Sequence, residues 1–110
     1  MLLNAESVEG ITVVELPGRI VAVNNRAFDK DLAPLIKPNA KIILDLTQVN
    51  RLDSSGVGSI VACLKQVRTA GGDVKLCGLS MKIRALFEMV RLNRVFDIFN
   101  TRQEALDSYK

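Results

Sequence analysis

An α/β domain built on a mixed sheet is predicted from three observations. Short apolar or β-branched runs alternate with segments of helical periodicity, the first two such runs follow each other directly, and no linker is long or polar enough to divide the chain. Its 110 residues, 48% hydrophobic and 25% charged, suit one compact core, so a single domain spanning residues 1–110 is expected.

Each element has its own signal. Leu2 to Val8 and Ile11 to Leu16 read as extended segments, and Glu9-Gly10 between them suits a tight hairpin turn. Pro17-Gly18 ends the second strand. After a short extended piece, Arg19 to Val23, the pair Asn24-Asn25 offers side-chain caps for a helix in which Phe28, Leu32, Leu35 and Ile36 recur at helical spacing, with Pro34 ending it early. Lys41 to Leu46 is a run of the kind covered on both faces and is the expected central strand. A loop, Thr47 to Asp53, leads to a helix from Ser54 to Arg68, striped by Val57, Ile60, Val61, Leu64 and either Val67 or Arg68, and closed by Gly71-Gly72. Asp73 to Cys77 is a strand, and Ser80 caps a helix through Ile83, Leu86, Phe87 and Val90. Arg94 to Phe99 reads as a short edge strand. Thr101-Arg102-Gln103-Glu104 fits a capping box opening a last helix through Leu106 and Tyr109.

Composition removes several function classes. The net charge of +3 and pI near 9.1 come from dispersed basic residues, and with no Trp, one Tyr and four Phe there is little to stack on bases, so direct nucleic-acid binding is not expected. The absence of histidine takes away the commonest general base and a principal metal ligand; no metal or cofactor is implied. Cys63 and Cys77, each among apolar neighbours, read as reduced core thiols. No apolar run approaches the roughly 20 residues that span a bilayer, and a cytoplasmic protein without a membrane span is expected.

Right-handed crossovers place the carboxyl ends of Lys41 to Leu46 and Asp73 to Cys77 on one edge, beside the helix beginning at Ser54. There Asp53-Ser54-Ser55-Gly56-Val57-Gly58 presents two hydroxyls next to the free amides of a helix's first turn, a setting favourable to an anion. Two readings of Gly56 and Gly58 stay open: close approach of another molecule, or tight packing of the helix on its own sheet. The segment is neither a dinucleotide fingerprint, since Val61 stands where a third glycine is needed, nor a P-loop. A nucleophilic serine lacks both the Gly-x-Ser-x-Gly frame and a histidine base. Taken alone, Asp53 or Ser54 as a helix cap stands ahead of any chemistry.

Resemblance adds a function. Lys41-Ile-Ile-Leu-Asp45-Leu, Arg51-Leu-Asp53-Ser54-Ser55-Gly56-Val57-Gly58, Gly71-Gly72-Asp-Val-Lys-Leu-Cys-Gly78, Val95-Phe-Asp-Ile-Phe99 and Glu104-Ala-Leu106 occur in the order and spacing of STAS domains. From Gly18 to Leu106 the chain resembles the anti-sigma factor antagonists. This implies a STAS-type mixed β-sheet of about five strands with four helices packed mainly on one face. It implies as partner an anti-sigma factor with serine kinase activity, which phosphorylates the serine after the Asp of Asp-Ser-Ser/Thr-Gly, here Ser54 with Ser55 as the fallback, and a phosphatase that reverses the step. Asp53, Ser54, Ser55, Gly56, Val57 and Gly58, with Arg51 and Arg19, are the expected partner-binding residues. The chain departs from the pattern twice: Gly18-Arg19-Ile20-Val21 carries Val21 where many antagonists have an acid, and Val90-Arg91-Leu92 replaces a Thr-Gly-Leu that supplies a glycine cap.

The same domain type also serves as a scaffold in stress-signalling assemblies, as a subunit of lipid-transport complexes and as part of anion transporters. A small nucleotide-binding or hydrolytic protein is the alternative from another class.

Overall fold

The computed structural model describes residues 3–110. Along the chain follow β1 (Asn4–Val8), β2 (Ile11–Glu15), β3 (Arg19–Ile20), α1 (Asn25–Leu32), β4 (Lys41–Asp45), β5 (Arg51–Leu52), α2 (Ser54–Thr69), β6 (Asp73–Cys77), α3 (Met81–Met89), β7 (Asp97–Phe99) and α4 (Arg102–Asp107). Leu2, the expected first residue of β1, lies outside the described residues.

The sheet has five strands in the order β1-β2-β4-β6-β7. The β1–β2 hairpin is antiparallel, and its turn carries Glu9 and Gly10 at φ of 53° and 82°. Two successive positive φ values define a type I′ turn, whose twist matches that of the strands it joins. Every other neighbouring pair is parallel, with β4 central as its apolar run requires.

The side chains of β4 and β6 alternate between two layers, as the period of two in a strand dictates. Ile42, Leu44, Val74 and Leu76 meet Phe28 and Leu32 of α1, Ile60, Leu64 and Val67 of α2, and Ile83 and Phe87 of α3. Ile43 and Cys77 face the other way, against Ala105 and Leu106 of α4. Three helices thus cover one face and the short α4 the other. Each fully buried Leu, Ile or Phe contributes about 1.5–3 kcal/mol relative to exposure. Both cysteines are buried free thiols.

Five local expectations change. The extended piece predicted over Arg19 to Val23 stops at Ile20, because residues 21–24 curl into a turn in which the Asn24 side chain accepts from the Val21 amide and donates to the Arg19 carbonyl. So employed, Asn24 stands at the N-cap of α1 without capping it. The predicted loop over Thr47 to Asp53 contains β5, which pairs in parallel with β3, Arg19 opposite Arg51 and Ile20 opposite Leu52. The last strand begins at Asp97, since Leu92–Arg94 forms a 3-10 turn. Pro34 acts as predicted: α1 ends at Leu32 and passes into a 3-10 turn, Ala33–Leu35. Tyr109 lies past the end of α4 and binds the sheet by its hydroxyl, whose one proton is shared between the carbonyls of Ile42 and Asp73, each 2.9 Å away.

Candidate functional site

The loop after β4 returns through β5 to the start of α2, so Asp53 to Gly58 sits beside the β3–β5 ribbon at the carboxyl edge of the parallel strands. Asp53 is the N-cap of α2. Its Oδ1 accepts from the Gly56 amide at 2.9 Å and its Oδ2 from the Ala22 amide at 2.9 Å, so one carboxylate both opens the helix and ties down the turn after β3. Those two amides, Gly56's first, hold the Asp53 carboxyl below its ordinary range.

With Asp53 turned to the backbone, Ser54 is the first residue of the helix and is exposed; among the described residues no hydrogen bond engages its hydroxyl. Ser55 is half-buried. The two glycines separate the readings left open by sequence. A Cβ on Gly56 would stand 2.0 Å from the Ile20 carbonyl oxygen, so Gly56 lets α2 press against β3. Gly58 has nothing within 4 Å of the same point and leaves the surface open. Val57 is half-buried, while the stripe that enters the core is Gly56, Ser59, Ile60, Cys63, Leu64 and Val67.

Arg19 and Arg51 are both exposed and lie in register on adjacent strands. Their proximity was invisible in sequence, where 31 residues separate them. Lys82, at the start of α3, donates to the Asn50 carbonyl at 3.3 Å and adds a third positive charge beside β5. Val21, where an acid was the pattern, is half-buried, and its neighbour Val23 stands 80% exposed at the tip of the turn that Asp53 anchors. The edge therefore displays a free hydroxyl at a helix N-terminus amid basic and apolar groups. That combination admits a phosphate, by charge and by the helix's free amides. Arg19 and Arg51 were expected beside Asp53 to Gly58, whereas Lys82 and Asn24 are neighbours that sequence reading did not place there; periodicity carries no signal for a pairing of two-residue strands.

Comparison with known proteins accords with this geometry. The family model for the STAS domain matches residues 3–105. The chain is 32% identical over 85 residues to the anti-sigma-B factor antagonist of Bacillus subtilis, covering 77% of this chain and 78% of that one. It is 26% identical over 111 residues to BtrV of Bordetella bronchiseptica, named as a candidate anti-sigma factor antagonist, covering 100% of this chain and 96% of that one. Among solved structures, an antagonist SpoIIAA in unphosphorylated form superposes with a TM-score of 0.80 at 23% identity, covering 97% of this chain and 95% of that one, a likeness of fold. Helix order, sheet topology and sequence thus agree, and the chain belongs to the STAS domain family of anti-sigma factor antagonists.

Proposed function

We propose that this protein is a cytoplasmic partner switch: unphosphorylated, it binds an anti-sigma factor through the Asp53 to Gly58 edge and α2 and so frees a sigma factor. Phosphorylation of Ser54 by that same partner, a serine kinase, ends the interaction, and a phosphatase restores it. The protein itself acts by binding, not by catalysis. The observation that carries this reading is the exposed, unengaged hydroxyl of Ser54 on the first residue of α2, set beside Asp53, whose carboxylate is committed to backbone amides.

A phosphate adds about 1.5 to 2 negative charges at neutral pH, and a helix N-terminus tolerates them, so the fold survives and the interface fails. Each charge facing a partner carboxylate at about 4 Å costs about 4 kcal/mol at an effective dielectric of about 20. A quarter to a half of that, after screening, lowers affinity about 5-fold to 30-fold.

Incubation with ATP and the kinase, followed by intact-mass measurement, is expected to add one phosphate to the wild type and none to Ser54→Ala. Phosphorylation that survives Ser54→Ala moves the site, with Ser55 first to be tested. A folded Ser54→Asp variant that binds the anti-sigma factor as tightly as wild type overturns the mechanism.

A further inference from the structure

We infer that the groove between β5 and α3 receives an apolar, acidic segment of the anti-sigma partner, a second contact beside the one at Ser54; this rests on the partner-switch reading. Helix α3 carries apolar residues on two faces. Ile83 and Phe87 enter the core, and Leu86 was predicted to join them. Leu86 instead lies half-buried with Ala85 and Met89 along a groove of about 410 Å³ whose opposite wall is Leu52. Met89 is 78% exposed, and Val90, also predicted to be in the core stripe, is 49% exposed. An apolar helix face with no covering side chain is a feature of binding surfaces.

Charge names the occupant. Arg51 and Lys82 stand at the margin of the groove, none of its lining residues is acidic, and among the described residues neither base is drawn into an ion pair. Lys82 is held instead on the neutral carbonyl of Asn50. Glu88, the one acid of α3, is not among the residues that line the groove. A second copy of this chain would bring two such basic margins together, whereas a segment with apolar residues flanked by Asp or Glu satisfies both features. The groove is also continuous with the proposed docking edge: Arg51 and Leu52 lead directly into Asp53 and Ser54.

The test titrates the purified anti-sigma factor kinase of the same organism with wild type, Met89→Glu, Met89→Lys, Lys82→Glu and Ser54→Asp. Met89 and Lys82 are exposed, so the variants keep the wild-type circular dichroism and melting temperature. Expected is a loss of at least about tenfold for Met89→Glu, a smaller loss for Met89→Lys, whose added charge suits an acidic occupant, and a several-fold loss with weaker salt dependence for Lys82→Glu. If Ser54→Asp weakens binding while all three groove variants bind as wild type, the groove is excluded and the switch reading stands. If the groove variants weaken binding while Ser54→Asp does not, the groove is supported and the switch reading falls. Sedimentation of the wild type as a dimer that Met89→Glu dissociates, with partner affinity unchanged, assigns the groove to a second copy and overturns the inference.

Discussion

Gly56 lies so close to Ile20 that a Cβ on the glycine would stand 2.0 Å from the Ile20 carbonyl oxygen, with the Leu52 side chain at 2.8 Å. The start of α2 and the β3–β5 ribbon are therefore one unit, and the position of Ser54 depends on that contact. Gly56→Ala must displace backbone and is expected to cost about 2–3 kcal/mol. Gly58→Ala meets open space in a helix and is expected to stabilise by about 0.5–1 kcal/mol. Denaturant unfolding of the two variants measures both, and equal effects would contradict the packing described.

Arg91 follows α3 in the left-handed region at φ of 60°, the conformation a glycine cap adopts. Arg91 holds this conformation without a glycine's freedom, a strain of about 1–2 kcal/mol for an L-residue. Arg91→Gly is expected to gain about 1 kcal/mol, less the entropy glycine brings to the unfolded chain. Thermal unfolding would show the midpoint rising.

Asp45 ends β4 with its carboxylate buried and fully engaged. Oδ1 accepts from the Thr47 amide at 2.9 Å and its hydroxyl at 2.5 Å, and Oδ2 from Arg102 at 2.9 Å, which ties α4 to the sheet. Burial by itself would raise this carboxyl; the Thr47 hydroxyl, the Thr47 amide and then Arg102 outweigh it and leave the group below its ordinary value of 3.8. A depressed folded-state value means stability present above about pH 4 and lost as pH falls further. Asp45→Asn is expected to cost about 2 kcal/mol at neutral pH and to flatten the acid limb of the stability profile.

Tyr109 is the only tyrosine, and its hydroxyl bridges the carbonyls of Ile42 and Asp73 while its ring lies 4.3 Å from the Lys75 ammonium. Burial first, and the nearby Asp73 charge next, push the phenol well above its ordinary value of 10.0. A raised value favours the neutral phenol in the folded state, so this stability is complete below about pH 10 and lost above it. Ultraviolet titration is expected to show no tyrosinate up to about pH 11 and then a rise coincident with unfolding. Tyr109→Phe is expected to cost about 1–2 kcal/mol by removing the bridge.

Ser54→Asp places a negative charge on the first residue of α2, where the helix dipole favours it. Stability is expected to stay within about 1 kcal/mol of wild type, so that lost partner binding reports on the interface. A melting temperature lowered by more than about 8 °C would refute this.

Sequence by itself determined the elements whose signals close within a few residues. Glu9-Gly10 makes its hairpin turn, Ser80 caps α3 through the Ile83 amide, and Thr101 and Glu104 form their capping box, because each is a hydrogen bond or dihedral settled locally. The order of strands and helices, the central place of Lys41 to Asp45 and the display of Ser54 at a helix start were legible for the same reason. Only the tertiary structure decided what Asn24 binds, that Arg51 to Leu52 is a strand, that Gly56 is covered while Gly58 is open, and that Leu86 and Met89 line a groove. The β3–β5 pairing and the Gly56 contact depend on partners more than about 30 residues away, the groove on which faces of a helix find a neighbour, and the Asn24 bonds, though local, on the turn that Asp53 holds from across the chain. Backbone propensity and periodicity carry no information on such pairings; only packing the whole chain around one core decides them.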